Sequence, residues 1–344
     1  MGLAAMVLGA CASPGAAPTG APVVAPSLFG STIDPILQPF AEGEIKRAVE
    51  TWEAKAGVVL VLDPVTGAVL VDAGIRGGSK APVALQTAYV TGSTLKTITL
   101  AIALDERVVA MGDKIDGEMG ARTYPNGLVL RDAGKHGVMT VGEALFVSSN
   151  IGFSKIFDKL GGEKLAKGLK RFHFGEAPPL PGATAGDMPA PLPDGSFEGG
   201  VVAAGEGLKA TPLQLALAYM AIANEGGYVK PTLAPGSKKA EREAILRPET
   251  ARALLGVMER VVSEKDGTGR YARLPGVRVA GKTGTGEWDT KEGKGTYVSF
   301  VGIVPADKPR FVILVGVESP KEGATGGEVA APVFAKIAQK ALGG

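Results

Sequence analysis

Strand-forming and helix-forming stretches are segregated along this sequence: the runs that read as β lie toward its two ends, and the helical periodicity lies between them. Near the amino end Gly57-Val58-Val59-Leu60-Val61-Leu62 is a continuous apolar run, Pro64-Val65-Thr66-Gly67 a turn, and Ala68 to Gly74 a return strand. That pattern predicts an antiparallel hairpin. Near the carboxyl end come three more strand-like runs, Val277 to Gly284, Thr296 to Val304 and Arg310 to Glu318, then a closing helix over Val329 to Leu342. Between the two sets the apolar spacing predicts helices over 93–109, over 140–160 in two pieces around Ser148-Ser149-Asn150, from Thr211-Pro212 to Gly226-Gly227, and from Pro248 to Ser263. Another covers 34–55, with Leu37, Phe40, Ile45 and Val49 on its apolar side. Pro178 to Gly200 is too rich in proline and glycine for regular structure and reads as a long loop. Strands that are apolar throughout must be covered on both faces, so the distant sets are expected to meet. The reading is an α+β fold, a central antiparallel sheet shared by the terminal elements, flanked by helices, with a mostly helical subdomain.

Composition narrows the chemistry. With 37 Lys and Arg against 35 Asp and Glu, the net charge is only +2, and no basic block follows residue 45, which argues against a nucleic-acid partner. Two distant histidines, His136 and His173, and a single cysteine, Cys11, leave neither a structural zinc site nor an internal disulfide, so no cofactor or metal is expected. Reactive groups must be hydroxyls, lysines and amides. Residues 1–11 are apolar, end in Leu8-Gly9-Ala10-Cys11 and resemble a bacterial lipoprotein signal, in which the cysteine carries lipid. The first charge is Asp34, so the usual positive leader end is missing from these residues. Residues 12–31 read as an Ala/Pro/Gly tether and 32–344 as the folded domain.

Three short pieces carry the chemistry. Ser93-Thr94-Leu95-Lys96 sets a hydroxyl and an amine one helical turn apart at a helix start, where a lysine of lowered pKa can take the serine proton. Ser148-Ser149-Asn150, at the break between helices, offers a second hydroxyl for proton relay and an amide to hold substrate backbone. Lys282-Thr283-Gly284, at the end of a strand-like run, offers a cation and a hydroxyl to an anionic group, with Gly284 letting substrate backbone come close. Each alone is commonplace; the order S-x-x-K, S-x-N, K-T-G is not.

With these motifs the sequence resembles the transpeptidase domain of penicillin-binding proteins, of the class B, monofunctional type, over about residues 32–340. The resemblance extends to VLDPVTGAVL, TVGEALFVSSNIGFSKI, GEGLKATPLQLALAYMAIANEGG, FVGIVPADKPRFVILVGVESP and EVAAPVFAKIA. It implies a penicillin-binding, β-lactamase-like fold and a peptidoglycan D,D-transpeptidase: Ser93 the nucleophile, Lys96 its base, Ser148 and Asn150 the second motif. Lys282, Thr283 and Gly284 form the third, with the backbone N–H groups of Ser93 and Thr285 as the oxyanion hole. It further implies stem peptides and β-lactam antibiotics as ligands, a glycan polymerase as partner, and a place in the cell envelope; the lipoprotein-like segment adds a lipid anchor on Cys11 at the periplasmic side of the inner membrane. Thr91 departs from the proline common in the family, and no stretch reads as the membrane helix and non-catalytic domain that usually precede such a domain.

Other activities share these motifs. A D,D-carboxypeptidase would pass the acyl group to water, and a non-catalytic β-lactam sensor would keep the drug adduct. A serine β-lactamase would need a deacylating glutamate, for which 174–206 offers Glu176, Glu198 and Glu206, none followed by Leu-Asn. Gly276 to Thr283 also fits the phosphate-loop pattern G-x-x-x-x-G-K-T, but a strand through the lysine followed by Gly284-Thr285-Gly286 leaves no helix to bind phosphate.

Overall fold

A computed structural model describes residues 30–236, 240–290 and 293–343. The lipoprotein-like segment 1–11 with Cys11, and the tether up to residue 29, lie outside the described residues. The segregated strands do meet. β1 (Ala56–Leu62) and β2 (Val69–Arg76) form the hairpin, with a short β3 (Ser79–Lys80) beyond it; β4 (Ala280–Thr290), β5 (Gly293–Val304) and β6 (Phe311–Glu318) form a meander. β1 pairs antiparallel with β6, Leu60 opposite Leu314, so one six-stranded sheet runs in the order β4-β5-β6-β1-β2-β3.

Both faces of that sheet are covered, which is why β1 is apolar throughout instead of alternating. On one face lie α1 (Leu37–Thr51) and the closing helix α9 (Gly326–Ala341), packing Ile45, Phe334 and Ile337 against Val59, Val61, Phe300 and Val315. Phe300 and Phe334 meet edge to face at 4.9 Å; truncating either to Ala costs about 3–5 kcal/mol. On the other face Val58, Leu60, Leu62 and Leu314 join the core of the helical subdomain. That subdomain contains α2 (Leu95–Asp105), α3 (Val141–Phe146), α4 (Asn150–Leu160), α5 (Gly162–Arg171), α6 (Phe197–Ala203), α7 (Pro212–Ala223) and α8 (Pro248–Ser263).

Boundaries differ from expectation for local reasons. α1 starts at Leu37 because the Asp34 carboxylate accepts the N–H groups of Ile36 and Leu37, both at 2.8 Å. α2 was expected as a one-sided helix to Val109; it ends at Asp105, and Leu95 to Leu104 are all buried because subdomain elements surround it. The loop expected to run to Gly200 stops at Ser196, whose hydroxyl caps α6 by accepting the Gly199 N–H. α7 starts where Thr211-Pro212 predicted, on a reciprocal cap with Gln214. β4 starts at Ala280, not Val277: Leu274 and Val277 bridge across a Pro275-Gly276 turn, and Arg278 is tied to Glu259 at 2.6 Å. No helix among the described residues is long and apolar enough to cross a membrane.

Candidate active site

The three motifs converge where the start of α2, the α3–α4 break and edge strand β4 meet. Gly92 to Thr94 form a single 3₁₀ turn leading straight into α2, with Ser93 half-exposed on it. Gly92 has φ +56°, and a Cβ there would overlap the Thr285 carbonyl of β4. Only glycine lets the turn lie backbone-to-backbone on the strand. One turn into α2, the Lys96 ammonium is fully buried and donates to Ser93 Oγ at 2.7 Å, Asn150 Oδ1 at 2.8 Å and the Ala204 carbonyl at 2.8 Å. Three N–H groups thus have three acceptors, and the amine is aimed at the hydroxyl.

The second motif sits at the break its sequence suggested. α3 opens on a reciprocal cap, the Glu143 N–H donating to Thr140 Oγ1 and the Thr140 N–H to the Glu143 carboxylate, and α4 opens on Ser149, whose hydroxyl accepts the Gly152 N–H at 2.8 Å. Between them Ser148 has φ +61°, a conformation that costs a non-glycine residue on the order of 1–3 kcal/mol. Its hydroxyl accepts from Lys282 Nζ at 2.9 Å. Asn150 is pinned from behind, its Nδ2 donating to the Arg131 carbonyl at 2.8 Å, which leaves Oδ1 for Lys96. Asp132 accepts from Ser149 Oγ at 2.6 Å and from the Ile151 N–H at 3.0 Å. A carboxylate on the first turn of α4 is favoured by the helix dipole, and this one fixes the second motif.

The third motif lies near the start of β4 rather than at the end of a strand, and the strand running on through Lys282 to Thr290 removes the phosphate-loop geometry. Lys282 is as buried as Lys96 and donates also to the Thr283 carbonyl at 3.1 Å. β4 pairs on one side only, with β5. The Thr285 carbonyl faces the Gly92 turn, away from β5, and in an antiparallel ladder the N–H of the same residue faces the same way. Thr283 and Thr285 therefore turn backbone groups to the open side; the Thr283 hydroxyl donates to Thr268 Oγ1 at 2.9 Å. A Cβ on Gly284 would sit 2.8 Å from both Ser299 Oγ and Thr94 Cγ2, so its bareness admits the turn that leads into α2.

Burial sets the electrostatics. Desolvation lowers the Lys96 pKa to about 8, opposed by the negative charges of Glu206 and Asp132. Lys282 is pushed well below the ordinary lysine range by burial first and by the Lys96 charge second. A neighbouring anion would favour the charged form of Lys282, opposing the lowering by burial. Of the three loop carboxylates only Glu206 reaches the site, its pKa raised to about 7 by burial, against the lowering pull of Lys96 and of a hydrogen bond from the Glu287 N–H. Glu176 lies with His173 at 3.1 Å on the surface, and Glu198 is exposed on α6. Sequence named Glu206 only as one of three loop carboxylates and the Ala204 carbonyl not at all; the fold brings both to Lys96.

Comparison with known proteins agrees with this geometry. Residues 57–339 match the penicillin binding protein transpeptidase domain. The chain is 32% identical to the stage V sporulation protein D of Bacillus subtilis (strain 168), over 90% of this chain and 53% of that protein. It is 29% identical to the peptidoglycan D,D-transpeptidase FtsI of Escherichia coli (strain K12), over 89% of this chain and 54% of that one. The chain thus spans about half the length of these relatives. Among solved structures it superposes on the apo TP domain of Burkholderia pseudomallei penicillin-binding protein 3 with a TM-score of 0.83 and 31% identity, covering 92% of this chain and 97% of that one. A matching family domain over most of the sequence, the superposition, and three motifs gathered around one serine together place this chain in the penicillin-binding protein transpeptidase domain family.

Proposed function

We propose that this chain is a peptidoglycan D,D-transpeptidase that forms an acyl-enzyme at Ser93 from D-Ala-D-Ala stem peptides. The observation that carries the reading is Lys96, dry, near neutral pKa and 2.7 Å from the Ser93 hydroxyl. In its neutral form Lys96 takes the Ser93 proton as Oγ attacks the carbonyl between the two D-alanines. Charge on the carbonyl oxygen is held by the N–H groups of Ser93 and Thr285. The C–N bond then breaks. The proton passes from Lys96, with the Ser148 hydroxyl bridging toward Lys282, to the departing D-alanine amine. An amine of a second stem peptide attacks the ester, its proton returns to Ser93 Oγ, and the cross-link is released. Asn150 orients Lys96 and the substrate amide; Thr283, Thr285 and a re-protonated Lys282 receive the terminal carboxylate, beside which Gly284 lets the turn seat on β4.

β-Lactams, which present a strained amide beside a carboxylate, are ligands of the same groove. The protein acts in the cell envelope, on the periplasmic side of the inner membrane, tethered by lipid on Cys11 and working beside a glycan polymerase. Intact-mass labelling with a penicillin, followed over hours in the wild type and Ser93→Ala, tests the site. A persistent adduct lost in the variant is the expected result; rapid release would mark a β-lactamase, and no adduct would refute the assignment. Turnover of a D-Ala-D-Ala peptide with and without an acceptor amine then separates cross-linking from carboxypeptidase trimming and from a sensor that does neither.

A further inference from the structure

The carboxylate of Glu206 lies outside the three motifs, yet the fold holds it against them from three sides. It sits on the segment Ala204–Leu208, whose Ala204 carbonyl accepts Lys96 at 2.8 Å and whose Gly205 carbonyl accepts the Thr91 hydroxyl at 3.1 Å. The Leu208 carbonyl accepts the Thr91 N–H at 3.1 Å, so both ends of the segment are tied to the residue just ahead of the Ser93 turn. Gly205, at φ +111°, lies so close over the Gly92 carbonyl that no Cβ fits there. From the other side Glu206 accepts the N–H of Glu287, two residues beyond Thr285 on the open edge of β4. Glu206 therefore sits between the serine turn, to which its backbone segment is tied, and the open edge of β4, whose Glu287 N–H its carboxylate accepts, within the field of Lys96.

We propose that Glu206 is a positioning residue for Lys96: its negative charge holds the proton on the base and so sets the pH at which Ser93 becomes reactive. The inference rests on the transpeptidase reading above and deepens it by naming what tunes the base. Among the described residues the charged surroundings are few. Facing Lys96 are Glu206, Asp132 and Lys282, with the Phe153 ring 5.9 Å from Nζ. Facing Glu206 are Lys96, Glu287 and Lys294, the last two paired with each other at 3.2 Å. Asp132 is committed to α4 by two hydrogen bonds, which leaves Glu206, half-exposed and itself titrating near neutrality, as the partner whose charge changes in the working range.

The coupling has a readable sign. Above about pH 7 Glu206 is anionic and favours charged Lys96; below it Glu206 takes a proton and that support fades. The acylation rate, which follows neutral Lys96, therefore rises over a wider pH span than one independent group would give. Glu206→Gln keeps an acceptor for the Glu287 N–H and removes the charge. If the charge is worth about one pH unit to Lys96, neutral amine at pH 7 rises from about a tenth to about a half, and acylation there speeds about fivefold.

The test measures the second-order rate of acylation by a fluorescent penicillin from pH 5.5 to 9.5. E206Q should move the midpoint of the rise to lower pH, steepen it to the width of a single proton, and leave the high-pH plateau in place. Glu206→Ala should move the midpoint equally with a lower plateau, so either variant reports it, and Glu206→Asp should restore the wild-type midpoint. Variants whose plateau falls while the midpoint stays would overturn the inference. A wild type that is not acylated at any pH would instead remove the transpeptidase reading, and this inference with it.

Discussion

Gly92→Ala separates the fold from the site. The added Cβ would come 2.7 Å from the Gly286 nitrogen and closer still to the Thr285 carbonyl, both backbone atoms of β4, which cannot swing aside as a flexible side chain could. Restoring ordinary contact parts turn and strand by on the order of one ångström, and φ +56° adds about 1–2 kcal/mol for any residue with a Cβ. The strand is anchored along its other edge to β5 from Ala280 to Thr290, so the domain should fold, with its melting temperature lowered by about 2–8 °C. Chemistry suffers more, because Ser93 rides on the turn and the Thr285 N–H on the strand. Misplacement approaching 1 Å between reacting groups costs about 10²-fold in rate. Acylation by a fluorescent penicillin, with thermal melting on the same samples, gives both numbers. A variant acylated within threefold of the wild type would refute the claim that this backbone contact sets the site.

Three further perturbations probe distinct parts of the molecule. Asp72, on β2, has its carboxyl pKa raised to about 6 by burial alone, from an ordinary 3.8, so it destabilises the fold as pH climbs through that window; Asp72→Asn should raise stability by about 1–3 kcal/mol at pH 8 and not at pH 4, read by denaturant unfolding. Tyr219, on α7, donates its buried hydroxyl to the Thr94 carbonyl at 2.7 Å and lies 2.9 Å from Thr97 Oγ1; Tyr219→Phe should cost about 1–2 kcal/mol in the same assay by orphaning them. Because burial lowers the Lys282 pKa and an anion beside it would restore the charge, a penicillin methyl ester should acylate Ser93 at least tenfold more slowly than the free acid, and Lys282→Met should reduce that preference; equal rates for acid and ester would exclude the role given to Lys282.

The sheet was legible because its signal is local and strong. Val58 to Leu62 and Val312 to Val317 are too apolar to be anything but covered strands, and the turn at Pro64-Val65-Thr66-Gly67 fixes the hairpin. The site was legible for the same reason: a serine and lysine one helical turn apart need no tertiary knowledge to be seen as a pair. What stayed hidden depends on contacts distant in sequence. Lys96 meets Ala204 across 108 residues, and Gly284 faces Thr94 through the body of the domain. Neither spacing nor residue type marks a backbone carbonyl as a ligand. Nor could periodicity tell that α2 would be enclosed on all sides, since a stripe of apolar residues reads the same whether its polar side meets water or, like Thr99, the Ala203 carbonyl.

The two buried lysines explain why the site is built from bare backbone. An amine titrates near neutrality only if water is kept from it, and water is kept out when neighbouring chains close to contact distance. Here that closure is made by main chain on main chain, Gly92 on the Thr285 carbonyl and Gly205 on the Gly92 carbonyl, which no side chain could match for thinness. Carbonyls next along the same segments then become the acceptors that make burial tolerable: Ala204 for Lys96 and Thr283 for Lys282. Each lysine also repels the other, so a proton gained by one is more readily lost by its neighbour. In the proposed reaction a carboxylate beside Lys282 would favour the charged form of that amine. Glycine at two turns is what lets main chain close tightly enough to keep water from both lysines.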